Sequence, residues 1–215
     1  MYICTMNQPK ETPGIRLSET TRLEAFSDGI FAIVITLLVL ELIPLLHPRD
    51  GSVFSTTNLL HWEPYFAFLI GFATVLICWI NHHHIFDHIT KTDGKLMWIN
   101  GFVMLLITII PFTTAILAEL INSDARTAFA IYGSNYILIS IASYMITAYP
   151  LKKEFIEAEH RNYVQAIKVL FGYSIIYTCI AFGVCFLSVP IAGVMYILLF
   201  VVFAFPKFYA AKLMK

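Results

Sequence analysis

The chain has 215 residues, of which 59% are hydrophobic, 15% aromatic and only 13% charged, with a formal net charge of zero and a mean hydropathy of +0.76. That leaves too little polar surface to cover a soluble globule, and a balanced charge gives no support to nucleic-acid binding. The composition is that of an all-α integral membrane protein whose first partner is the lipid bilayer.

The first twenty residues are polar and lack an apolar core, so no cleavable secretory signal is read there and the first span must itself direct insertion. Six segments then reach the roughly 20 residues a membrane helix needs: residues 23–46, 65–90, 96–121, 128–149, 163–187 and 189–211. This divides the chain into a tail over 1–21, one six-helix membrane domain over 22–212 and a short end over 213–215.

The first span opens on Arg22-Leu-Glu-Ala-Phe-Ser-Asp-Gly29 and runs straight into Ile30 to Leu40. An ionised aspartate at the bilayer centre costs about 2.5–3.5 kcal/mol on insertion scales, so Asp28 needs protein, water or a partner beside it. On a helical wheel Leu37 and Leu40 fall within about 40° of Ile33, while Asp28 lies about 140° away. Gly29, Ala32 and Thr36 flank the aliphatic stripe and would let a neighbour approach closely. Spacing alone leaves two readings of that stripe, buried or lipid-facing packing on one hand and a pore lining on the other. Glu41, near the far end of the span, reads either as a solvated carboxylate or as a group attracting cations to a pore mouth.

Between the first two spans Pro44, Pro48 and Gly51 break the helix, and Asn58 to Trp62 could form an interfacial turn anchored by Trp62. The second span closes on Trp79-Ile-Asn-His-His-His-Ile-Phe86. The third carries Trp98 and Asn100 near its start and Pro111 deeper in. Spans four to six read as apolar crossings. Cys78, Cys179 and Cys185 fall inside spans and Cys4 in the tail, without metal or disulfide spacing.

Twelve of the fourteen lysines and arginines fall before the first span, in or beside the second-to-third and fourth-to-fifth connections, or near the end of the chain; only Arg49 and Arg126 lie on the other side. That bias puts both termini in the cytoplasm. It also fixes depths. Asp28 lies about 9 Å in from the cytoplasmic start of the first span, the histidines of the antiparallel second span lie at a similar height, and Asn100 about 8 Å into the third. Buried donors and acceptors in lipid must find one another, so Ser27, Asp28, the histidines and Asn100 are expected to form an interhelical hydrogen-bond cluster. Two other uses of the histidines stay open: a metal site on His84, Asp87 and His88, and a proton relay.

These strings carry a resemblance. RLEAFSDGIFAIVITLLVLEL, the Trp79-to-His83 pattern and WINGFVMLLITIIPF (Trp98 to Phe112) together resemble the transmembrane protein 175 family of potassium channels, in its bacterial single-repeat form. The likeness covers spans one to three directly. It implies a potassium-selective cation leak channel of the cell membrane, assembled as a homotetramer, without cofactor, metal or enzymatic activity. The first helix of each subunit would line a central pore constricted by rings of Ile33, Leu37 and Leu40, with Thr36 beside them. The family's polar network would map to Arg22, Ser27, Asp28, His82 or His83, and Trp98. The third histidine, His84, departs from the family's usual pair. No TVGYG-like string supports a carbonyl filter. A secondary transporter, or a proton-conducting pathway through the histidines, is the alternative, and Pro111 is the deep helix break a transporter would use.

Overall fold

The computed structural model describes residues 20–46 and 61–206. Among them are seven α-helices: α1 Thr21–Leu37, α2 Glu63–Phe86, α3 Gly94–Thr108, α4 Ile110–Leu120, α5 Ala125–Lys153, α6 Arg161–Cys185 and α7 Val189–Ala204. A 3-10 helix, Leu38–Leu46, continues α1. Five stretches are long and apolar enough to cross a membrane, with α3 and α4 counting as one, and α7 is a shorter apolar helix. Five of the expected spans thus have a crossing-length helix, while the sixth, expected over 189–211, is represented by the shorter α7 and extends beyond the described residues. The cations Lys10, Arg16, Arg49, Lys207, Lys212 and Lys215, along with Cys4 and the start of the expected turn at Asn58, lie outside the described residues.

Local chemistry explains most boundaries. Pro64, Pro111 and Pro190 sit in the first turns of α2, α4 and α7, where a missing N–H costs nothing. Pro111 also splits the third span at Ile109, because its ring would strike the carbonyl of Ile107 in a continuous helix. Asp93 caps α3 by accepting from the Leu96 N–H at 2.9 Å, and Asp124 caps α5 by accepting from the Thr127 N–H at 3.2 Å.

The helices pack around two apolar clusters. One holds Phe31, Val34, Leu38, Phe86, Leu96 and Ile107; the other centres on Leu117, Phe129, Tyr132 and Tyr196. Close approach depends on two glycines. A Cβ at Gly71 would stand 2.7 Å from Leu38 Cδ2, and one at Gly133 would collide with the Tyr196 hydroxyl oxygen. Helices in lipid gain from such contacts because dispersion must replace the hydrophobic drive.

At one end of the bundle the α2–α3 and α5–α6 connections are fastened together. Glu154 adopts the left-handed conformation (φ 57°), which ends α5 and presents the Phe155 carbonyl to the Thr90 N–H at 2.8 Å and the Thr90 hydroxyl at 2.9 Å. An isolated antiparallel bridge joins Ile89 to Ile156. At the same end Asp93 accepts from the Tyr149 hydroxyl at 2.6 Å. Burial alone would raise the Asp93 pKa, but the bonds from Tyr149 and Leu96 and the charge of Lys153 outweigh it and hold the carboxyl below its ordinary 3.8.

Asp93→Ala removes the α3 cap, and thermal unfolding in detergent should register a loss of about 0.5–2 kcal/mol. A carboxyl with a depressed folded-state pKa contributes fully above its ordinary value of 3.8 and loses that contribution as pH falls through the lower folded value. The gap between wild type and variant should therefore be constant near neutrality and close below that point.

Candidate functional site

Helix α1 has two faces with different partners. Leu23, Ser27, Phe31, Val34 and Leu38 are buried against the rest of the chain. On the opposite side Ile33 is 59% exposed, Leu37 45% and Leu40 51%, and Gly29, Ala32 and Thr36 are exposed between them. The stripe expected from the wheel is thus an unpartnered face of the protomer. Thr36 uses its hydroxyl on its own helix, donating to the Ile33 carbonyl at 2.7 Å.

The change from α to 3-10 winding at Leu38 alters that face. A 3-10 helix turns about 120° per residue, so residues three apart eclipse. Leu37, Leu40 and Ile43 consequently form one row, and Ile43 is 42% exposed like its neighbours. Uniform α-periodicity does not pick out Ile43. The same overwinding carries Glu41 toward the protomer. It is half-buried and accepts from the Thr114 hydroxyl of α4 at 2.5 Å, beside the Gly71 contact. Neither a solvated end group nor a pore-mouth carboxylate describes it.

Inside the bundle, Ser27, His82 and Asn100 bring α1, α2 and α3 together, and all three are buried. Asn100 Nδ2 donates to Ser27 Oγ at 2.9 Å, and Ser27 Oγ donates to the Leu23 carbonyl at 2.8 Å. Asn100 Oδ1 then faces His82 Nε2 at 2.8 Å. Because that oxygen can only accept, Nε2 carries the hydrogen and Nδ1 is the free acceptor. The His82 ring lies edge-on to Phe31 at 5.5 Å and stacks on Phe86 at 4.3 Å. A neutral relay of donors running one way satisfies each group without burying a charge.

Asp28 belongs to a second, more exposed chain. Trp79 Nε1 donates to Asp28 Oδ1 at 2.8 Å, Trp79 stacks on His83 at 5.7 Å, and His83 Nε2 stands 3.7 Å from Asp87. The expected single cluster is therefore two. Trp79 links α2 to α1 as a donor; its position one turn before His83 was the only sequence signal for it. Arg22 is exposed and Trp98 is 83% exposed, and neither has a polar partner among the described residues. The resemblance to the family, and not the matching of depths, had placed them in the network.

The third set of histidines does not converge on a metal. His84 Nδ1 is 3.8 Å from Asp87, whereas the His88 ring packs at 4.6 Å from His160 and 5.2 Å from Tyr163. Among the described residues no three His, Cys, Asp or Glu side chains could hold a metal ion together.

Residues 22–111 match the family model described as endosomal/lysosomal potassium channel TMEM175. A potassium channel of the cyanobacterium Chamaesiphon minutus is 39% identical over 186 residues, covering 84% of this chain and 92% of that protein. A potassium channel of Chryseobacterium sp. is 31% identical, covering 75% and 86%. The endosomal/lysosomal proton channel TMEM175 of Gallus gallus is 29% identical over 83% of this chain, which spans 38% of that longer protein. The crystal structure of a lysosomal potassium-selective channel TMEM175 homolog from Chamaesiphon minutus superimposes with a TM-score of 0.76 at 36% identity, covering 87% of this chain and 97% of the other.

Asn100 stands at the centre of the buried trio, so Asn100→Leu leaves the His82 donor and the Ser27 acceptor unsatisfied. Thermal unfolding in detergent should show a loss of about 1–3 kcal/mol. Trp79→Phe removes one exposed donor and should cost less than half as much, which separates the two chains experimentally.

Proposed function

Since the chain belongs to the TMEM175 family, a family of channels and not of enzymes, we propose that it is a potassium-selective cation leak channel built as a homotetramer around α1. The observation that carries this reading is the division of α1: one face is hydrogen-bonded and packed into the protomer, and the other presents half-exposed branched aliphatic side chains with small residues beside them. Four copies of that second face around an axis would give a conduit ringed by Ile33, Leu37 and Leu40, with Ile43 extending the row. Thr36 would lie next to the constriction. Arg22 and Trp98, exposed on the single chain, would meet the neighbouring subunit.

Aliphatic rings offer an ion no replacement for its hydration shell, so conduction through them favours the ion that sheds water at lower cost. Potassium is larger and less tightly hydrated than sodium, which gives the preference its sign. The neutral trio of Ser27, His82 and Asn100 holds α1 at a fixed distance from the axis. The distribution of lysine and arginine supports both termini on the cytoplasmic side of the cell membrane.

Purified protein in liposomes tests this directly. Wild type should pass potassium faster than sodium, and Ile33→Asn, which places a polar amide in one of the proposed rings, should reduce that preference several-fold while leaving thermal stability near wild type. Equal permeability of the two ions in wild type would remove the dehydration account. An Ile33→Asn variant with unaltered conductance and preference would remove α1 from the pore.

A further inference from the structure

Helices α2 and α5 run in the same direction. Glu63 at the start of α2 accepts from Asn122 just before α5, and Thr90 beyond the end of α2 donates to Phe155 beyond the end of α5. Between these fastenings Thr74 Oγ1 lies 2.5 Å from the Tyr136 hydroxyl. Beside that bond is a cavity of about 70 Å³ bordered by both helices. Phe31 of α1, Val103 and Ile107 of α3, Phe171 of α6 and Phe203 of α7 also border it, and the rings of Phe171 and Phe203 stack at 5.1 Å. Most of the wall is apolar, and the described residues that form it include no acid, lysine or arginine.

The polar groups left over on this wall lie close in depth. With Thr74 and Tyr136 as the common level, a rise of about 1.5 Å per residue sets Ser143 level with Asn81, and Ser140 about 4.5 Å from that level. Ser140 is buried, and among the described residues neither its hydroxyl nor that of Ser143 has a hydrogen-bond partner. Asn81 Nδ2 donates to the Ile77 carbonyl at 2.7 Å and to the Phe203 carbonyl at 2.8 Å, which leaves Oδ1 as an acceptor with no donor among the described residues. Thr74 and Ser174, by contrast, donate to the Ile70 and Phe171 carbonyls of their own helices.

A water occupies about 10–15 Å³ of such space, so the cavity has room for roughly five to seven heavy atoms. Water also needs two or more polar partners. Asn81, Ser140 and Ser143 can supply them at one end, but the space among Phe31, Phe171 and Phe203 cannot, and apolar space of that kind stays dry and takes up small hydrocarbons. A molecule with one hydroxyl on an apolar body matches both ends. It must be neutral, because nothing on the wall would compensate a charge.

We propose that each protomer carries, behind the bonded face of α1, a binding site for a small neutral alcohol or phenol. Its hydroxyl sits among Asn81, Ser140 and Ser143, and its apolar body against Phe31, Phe171 and Phe203. Because Phe31 and His82 both border the cavity, the occupant touches residues that hold α1 in place. The site goes beyond potassium conduction and does not rest on it.

Fluorine NMR of 4-fluorophenol, added to the full-length protein in lipid nanodiscs, tests this. The expected result is saturable binding of one molecule per protomer above the background of empty nanodiscs. In 4-fluorotoluene a methyl group of similar size replaces the hydroxyl, and that compound should bind about tenfold more weakly for want of a hydrogen bond. Ser140→Ile fills the cavity and should abolish binding; Ser143→Leu fills it from the next turn should the first variant fail to fold. No saturable binding in wild type, which would mean a cavity holding water only, overturns the proposal. So does undiminished binding in a folded, filled variant, or equal affinity for 4-fluorotoluene. Ile33→Asn, on the opposite face of α1, should bind 4-fluorophenol as wild type does, so this site and the pore reading stand or fall separately.

Discussion

The hydrogen bonds that tie α1 to α2 and α3 are the constraint on which the rest of this protomer depends. In lipid an apolar helix face gains nothing by leaving its solvent for another apolar face, so packing alone holds an outer helix weakly. Ser27, Asn100 and His82 change that, because separating them would expose polar groups to hydrocarbon. The bonds run in one direction, from the imidazole N–H to the amide oxygen, from the amide N–H to the hydroxyl, and from the hydroxyl to the Leu23 carbonyl. No member competes with another for a proton. The result is a helix whose rotation about its own axis is determined, and with it the direction in which Ile33 and Leu40 look.

Rotation alone would not produce the observed face, since the winding of the helix also changes. Beyond Leu37 the chain adopts nine residues of 3-10 helix, long for a conformation usually limited to a few residues. Two contacts accompany the overwound segment. Leu38 reaches into the gap left by Gly71, and Glu41 reaches Thr114. The tighter coil stacks Leu37, Leu40 and Ile43 in one row, where an α-helix would fan them over about 120°. A half-buried carboxylate on one side and an aliphatic row on the other are two consequences of the same local geometry.

How far this was legible in the residues follows from what each signal encodes. The spans were legible because roughly 20 apolar residues between polar breaks leave little alternative, and the split at Ile109 was foreshadowed by Pro111. Ser27, His82 and Asn100 could be grouped because rise per residue converts position into depth. The partner of Asp28 could not, because depth says nothing of azimuth and several donors shared that layer; Trp79 was passed over and Trp98 preferred. Glu41 was misread for a different reason. Its orientation depends on a change in helical winding for which no residue type in Leu38 to Leu46 is a reliable marker. The fastening of the Thr90 and Phe155 loops likewise rests on a left-handed Glu154, a conformation for which glycine or asparagine would have been the usual sign.

The two faces of α1 also explain how one small bundle can keep different polar tasks apart. The aliphatic face carries no side-chain hydrogen-bonding group other than Thr36, whose hydroxyl is turned back onto the Ile33 carbonyl, so a water chain along it would lack anchoring partners. Behind the helix the opposite holds: hydroxyls, an amide and imidazoles border enclosed space that is too confined for an ion with its hydration shell. The phenyl ring of Phe31, buried and in edge contact with His82, stands between these environments. A single α-helix thus divides an aliphatic outer face from an interior lined in part by polar side chains, and it can do so only while the Ser27–Asn100–His82 bonds keep it from turning.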